Sequence, residues 1–133
     1  MKKFLSLGSQ PLANSYIKKS NLKRREKKFK LEVGFNKRNY LVSIINTVPK
    51  EKMFNNQYPY KSSESKTMRK SFKDLSKKIK KNYRPKFVIE IGSNDGAFLK
   101  NFSKNIAVGV EPCKNLAKLT KKKNIKRFLN IGM

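Results

Sequence analysis

With 133 residues the chain has room for one modest domain or two small ones, and 37% hydrophobic against 32% charged residues makes it polar for that length. No apolar run approaches the roughly 20 residues of a membrane span. The opening Met1-Lys2-Lys3-Phe4-Leu5 leads at once to Gly8 and Pro11, unlike a signal peptide, and a single cysteine excludes a disulfide framework, so a cytoplasmic location is expected by default.

Lys and Arg total 34 against 8 Asp and Glu, a net charge of +26. Runs fall at Lys23 to Lys28, Lys77 to Lys81 and Lys121 to Lys123. Without counter-charges they would hold a polyanion such as RNA or DNA. No nucleic-acid module accompanies them: there is no ribonucleoprotein aromatic motif, no Gly-x-x-Gly clamp in a helical setting and no paired metal fingers. Asn and Ile are abundant too, and a compositional bias toward Lys, Asn and Ile raises charge without selection for binding. A basic nucleic-acid-binding protein stands as the alternative reading, with nonspecific polyanion binding as its expression.

In chain order, Phe29, Leu31, Val33 and Phe35 alternate with Lys30, Glu32 and Gly34, the pattern of a half-buried strand. A turn at Asn36 to Asn39 leads into Tyr40 to Ile45, which predicts a hairpin. Met68, Phe72, Leu75 and Ile79 recur at helical spacing behind Ser65, predicting an amphipathic helix over Ser65 to Lys81 with Ser65 as N-cap and a polar face that is nearly all lysine. Asn82 to Pro85 breaks it. Lys86 to Ile91 reads as a buried strand, Gly92 and Gly96 bracket a turn where backbone can approach a ligand closely, and Ala97 to Ser103 starts a helix behind Asp95. A strand over Ile106 to Val110 delivers Glu111, and a short third strand is expected near Ile125 to Leu129.

The stretch Val88-Ile89-Glu90-Ile91-Gly92-Ser93-Asn94-Asp95-Gly96 carries the most chemistry. It is not the dinucleotide fingerprint, which needs a third glycine. Glu111 lies about 20 residues beyond Gly92, the separation at which a doubly wound α/β unit places an acid to accept from ribose hydroxyls. Together these residues resemble motif I and the following acid of class I S-adenosylmethionine (SAM) dependent methyltransferases. The resemblance implies that Glu90, Gly92, Ser93, Asn94, Asp95, Gly96, Glu111 and Pro112 line a SAM site. Carboxylates suit a sulfonium cation, where a phosphate loop would need lysine.

Three further stretches narrow the resemblance: Leu7-Gly8-Ser9-Gln10-Pro11-Leu12-Ala13-Asn14, Tyr58-Pro59-Tyr60-Lys61-Ser62-Ser63-Glu64-Ser65, and Asn115-Leu116-Ala117. In this order they resemble sugar C-methyltransferases with an N-terminal zinc-binding domain, which methylate a ring carbon of nucleotide-linked deoxysugars after a base removes the adjacent proton. The resemblance implies a nucleotide-linked sugar substrate, with Tyr58 and Tyr60 helping to hold it or packing between domains. The implied fold is α/β: a small degenerate zinc-domain-like β region over 1–60, an amphipathic helix and linker over 61–84, and the N-terminal part of a Rossmann-like SAM domain over 85–133.

The chain departs from this family in three ways. Where a Cys-x-x-Cys pair is expected stand Asn36 and Asn39, with Lys37 and Arg38 between them, and the first pair has no counterpart, so no zinc is expected. Without zinc, Met1 to Val48 is expected to be partly ordered or to lean on the helix that follows. Cys113 is expected to be a packing residue, and no histidine is present to act as the proton-abstracting base, so the catalytic residue stays unassigned. Room for only three strands after Lys86 gives the expectation of the N-terminal part of a longer enzyme, inactive alone, or of a non-catalytic remnant.

Overall fold

Two three-stranded sheets, one in each of two compact units, carry the fold. The computed structural model describes residues 1–122 and 127–129. Its units are Met1–Met53 and Phe54–Met133. The architecture is mixed α/β: an antiparallel sheet in the first unit and a parallel sheet with flanking helices in the second.

In the first unit β1 (Lys2–Pro11), β2 (Lys28–Asn36) and β3 (Leu41–Ile44) pair antiparallel in that order. The hairpin expected from the alternating pattern is β2–β3. Strand β1 has no clean alternation to reveal it, because its register slips between Lys3 and Leu5 and again between Ser6 and Ser9. Gly8 lies in the second irregularity with φ +70, a conformation that costs a residue with a Cβ and that bulges exploit. On β2 the buried residue is Gly34: a Cβ there would meet Ile45 and Met1 side chains at 3.1 Å. The face expected to be polar is therefore partly covered. A short helix, α1 (Lys50–Met53), follows β3.

The hairpin tip is closed by amides. Asn36 Oδ1 accepts the Arg38 N–H at 2.9 Å and Asn39 Oδ1 accepts the Leu41 N–H at 3.2 Å. Such turns let a short polar side chain satisfy the backbone two residues on. Tyr40, at φ +57, completes the reversal.

The second unit opens with an irregular stretch leading to α2 (Lys66–Tyr83). Ser65 is its N-cap, with the side chain accepting the Met68 N–H at 3.2 Å. Arg84 ends it in the left-handed region at φ +45, directly before Pro85. The covered stripe is Met68, Phe72, Ser76 and Ile79; Leu75, expected on it, is 47% exposed. Phe72 packs edge-on against Phe98, and Phe98 against Phe102. These rings, with Leu99, Ala107, Ile79, Val88 and Ile106, form the core beneath the parallel sheet.

That sheet has the order β4 (Val88–Ile91), β5 (Ala107–Val110), β6 (Arg127–Leu129), all parallel, with α3 (Lys114–Lys122) crossing from β5 to β6. Of the expected third strand, Ile125 lies outside the described residues. Two expectations need correction. Strand β4 is not buried throughout: Val88 and Glu90 are partly covered while Ile89 and Ile91 are 51% and 79% exposed, because among the described residues nothing packs over the face these two share. The helix over Ala97 to Ser103 shrinks to a 3-10 turn at Leu99–Asn101. The Asn101 amide donates back to the carbonyls of Ala97 (3.3 Å) and Phe98 (2.9 Å), competing for acceptors that a further turn would use.

Candidate functional site

The site is built at the carboxyl ends of β4 and β5, where open parallel sheets leave a crevice. Beyond Ile91 the chain reverses through three left-handed residues, Gly92 (φ +74), Asn94 (φ +51) and Gly96 (φ +75). The N–H groups of Gly92 and Ser93 both donate to Val110 O, at 2.8 and 3.0 Å, which fastens the turn to the last residue of β5. A Cβ on Gly92 would meet nothing within 4 Å, so this side of the turn is open.

Asn94 ties its turn to three other segments. Its N–H donates to Glu111 Oε2 at 2.7 Å and its carbonyl accepts the Thr120 hydroxyl of α3 at 3.0 Å. Its side-chain oxygen accepts the Ser62 N–H at 2.9 Å while its amide nitrogen donates to Tyr60 O at 3.2 Å. Asparagine is among the few residues that tolerate the left-handed region and also carry a donor and an acceptor on one side chain. One residue type thus serves both the backbone and the cross-links.

Three carboxylates surround the turn, in different states. Glu111, 4% exposed, accepts from Asn94 N–H with one oxygen and from Cys113 N–H (2.8 Å) with the other, so it clamps the turn to the entry of α3. Asp95, 1% exposed, accepts the N–H of Ser63 at 3.3 Å and the Ser63 hydroxyl. Glu90 differs: its Oε2 is buried and has no hydrogen-bond partner among the described residues. Burial first, then the negative charges of Glu111 and Asp95, push its carboxyl up to about 7. Cys113, buried beside Glu111, is pushed up to about 12, first by burial and then by that carboxylate, which leaves it a packing thiol.

Two more polar atoms are buried without partners among the described residues, Ser93 Oγ and Asn115 Oδ1. Ser93 fits because Gly109, paired with Glu90 across β4 and β5, has no side chain: a Cβ there would lie 2.7 Å from Ser93 Oγ. Glu90, Gly92, Ser93, Asn94, Asp95, Gly96 and Glu111 therefore meet at one place, with Pro112 in the link between Glu111 and α3. Tyr58 and Tyr60 reach this cluster through backbone: Tyr58 O accepts from Asn115 Nδ2 at 2.8 Å and Tyr60 O from Asn94. No local sequence signal marks the contacts that Ser62, Ser63, Asn115 and Thr120 make here. The first three lie in stretches carrying the resemblance.

The chemistry of this cluster is acidic. Partly desolvated carboxylates repel phosphate and attract a cation or hydroxyl donors. A carboxylate oxygen with no partner among the described residues, two positions before an open glycine, suits a ligand with a positive centre.

Residues 1–54 match the methyltransferase-family model Methyltransf_13, whose description is "Putative zinc binding domain". The match is coextensive with the first compact unit to within one residue and supports a methyltransferase family. No curated protein matches the chain. The description names zinc, but residues 1–54 contain no Cys and no His; their acids are Glu26, Glu32 and Glu51. Glu32 already binds Lys3 (2.9 Å) and Asn46 (2.9 Å), with Lys3 holding its carboxyl below the usual range. No group of three Cys, His, Asp or Glu is placed to hold a metal among the described residues. This donor set does not fit zinc.

Proposed function

We propose that the chain is part of a SAM-dependent methyltransferase and that its second unit holds the cofactor at the Gly92–Gly96 turn. The supporting observation is the convergence of Glu90, Asp95 and Glu111 on a left-handed turn at the carboxyl ends of two parallel strands. The methyltransferase-associated match of residues 1–54 supports the same reading. In it, Glu90 faces the cationic part of the cofactor, and the Glu111 oxygens keep outer lone pairs for ribose hydroxyls while clamping Asn94 and Cys113. When bound, SAM supplies the methyl group. The chain's own residues bind and orient the cofactor: Asn94 and Ser63 hold the turn in shape, and Gly92 leaves its approach open.

The finer reading is that the acceptor is a ring carbon of a nucleotide-linked deoxysugar, in keeping with the ordered sequence stretches. Calorimetric titration of the chain with SAM, at salt that suppresses nonspecific contacts, tests the cofactor assignment. Saturable binding that weakens about tenfold in Glu90→Gln is expected, the loss of roughly one favourable charge contact. A folded chain that takes up no SAM refutes it. Glu90→Gln is a better probe than removing Glu111, because Glu111 is also part of the scaffold.

A further inference from the structure

The first unit contains a basic cleft that the methyltransferase reading does not use. Its volume is about 750 Å³ and its walls include Arg25, Lys27, Lys28 and Lys52 against one carboxylate, Glu26. That volume lies within the range of about 300–1,000 Å³ typical of small-molecule sites. Four parts of the unit converge to make it: β1 at Ser9, the segment entering β2, the first residues of β2, and α1. Among the described residues the ion pairs are Lys3–Glu32 and Lys61–Glu64, and none of the four cations of the cleft takes part in either.

One cation is positioned. Lys52 Nζ sits over the Phe29 ring, 5.5 Å from its centroid, an arrangement that orients an ammonium group without neutralising it. Phe29 also lines an apolar cavity of about 410 Å³ with Leu12, Leu31, Ile44, Val48 and Met53, so the ring is a wall shared between a basic space and a greasy one. Four unpaired cations in a concave space cost repulsion, which a multiply charged anion would relieve. A single carboxylate or chloride carries one charge against four cations, whereas two adjacent phosphates carry several charges and several acceptor oxygens on one small group.

We infer that the cleft formed by Arg25, Lys27, Lys28 and the Phe29-supported Lys52 binds the diphosphate group of a small phosphorylated molecule. The cleft is lined by residues of the first unit alone, and the inference stands whether or not the acidic turn of the second unit binds SAM. Cations gathered in one concavity favour a small ligand over a nucleic acid, which would follow exposed basic surface such as the lysines of α2.

The test titrates the full chain with inorganic pyrophosphate and with ADP at near-physiological salt. It compares an Arg25→Ala/Lys28→Ala/Lys52→Ala variant with a variant carrying the same charge loss on α2, Lys70→Ala/Lys73→Ala/Lys77→Ala. The substituted cations are exposed in both. One-to-one binding weakened about tenfold or more by the cleft variant, and less than about twofold by the α2 variant, is the expected result. SAM binding in the same samples should be unchanged. Equal weakening by both variants, or binding without saturation, overturns the site and leaves diffuse polyanion attraction, RNA included. If the cleft variant loses its fold, amide shift mapping on the unaltered chain decides. Pyrophosphate-induced shifts concentrated at residues 25–29 and 52 support the site, and shifts spread along α2 overturn it.

Discussion

Replacing Glu90 with glutamine should remove a pH dependence of stability that the wild-type chain shows across neutrality. The carboxyl rises from 4.5 to about 7 because folding buries it and brings Glu111 and Asp95 close. Full conversion at about 1.4 kcal/mol per pH unit would give about 3 kcal/mol, and the part of the group still in contact with water screens this to about 2 kcal/mol. The sign follows from proton counting. Below the unfolded value of 4.5 both states hold the proton and no penalty exists. As pH rises toward about 7 the unfolded chain releases a proton that the folded chain keeps, so stability falls, and it levels off once the folded group has ionised. The chain has no histidine, so no ordinary imidazole titration obscures this window. Urea unfolding followed by far-UV circular dichroism, at steps from about pH 5 to about pH 8, should show wild-type stability declining and Glu90→Gln nearly flat, the variant ahead by about 2 kcal/mol on the alkaline side. Parallel pH profiles for the two proteins would refute the placement of Glu90 in a desolvated acidic cluster.

Other perturbations probe the same architecture. Gly109→Ala should destabilise the second unit by about 1–3 kcal/mol, since the added methyl collides with Ser93 Oγ and Leu99 Cδ1; an unchanged thermal midpoint would show that this contact relaxes freely. Asn94→Ala strands the Ser62 N–H and the Tyr60 carbonyl and forces alanine into φ +51, costing about 2 kcal/mol or more, and Asn94→Gly should recover only the backbone share. Equal stability of the two variants would separate the hydrogen bonds from the strain. The Cys113 thiol, buried and pushed up to about 12, should react with a thiol reagent only as the chain unfolds, and rapid labelling in native buffer would contradict its packing. Thermal unfolding should be indifferent to added zinc and to chelator; a midpoint raised by zinc would mean that residues 1–54 assemble a donor set their composition does not offer.

What the sequence by itself determined are the features set by neighbours along the chain. The β2–β3 hairpin follows from alternation between Phe29 and Phe35, and α2 from apolar spacing behind the Ser65 cap and ahead of Pro85. The left-handed Gly92 and Gly96 follow from the need to reverse the chain beyond β4. The unfitness of residues 1–54 for zinc follows from composition alone. Tertiary structure decided everything that depends on distant partners. Strand β1 is assembled by pairing with β2 around a bulge at Gly8, a register that no local pattern records. Glu90 and Glu111 are both acids at strand ends in the sequence, yet one has an oxygen with no partner among the described residues while the other binds two backbone N–H groups. The difference comes from the turn that brings Asn94 over Glu111 and from Gly109, whose missing side chain makes room for Ser93. Periodicity and capping act within a few residues, whereas desolvation and hydrogen-bond partnership arise only when remote segments close on one another.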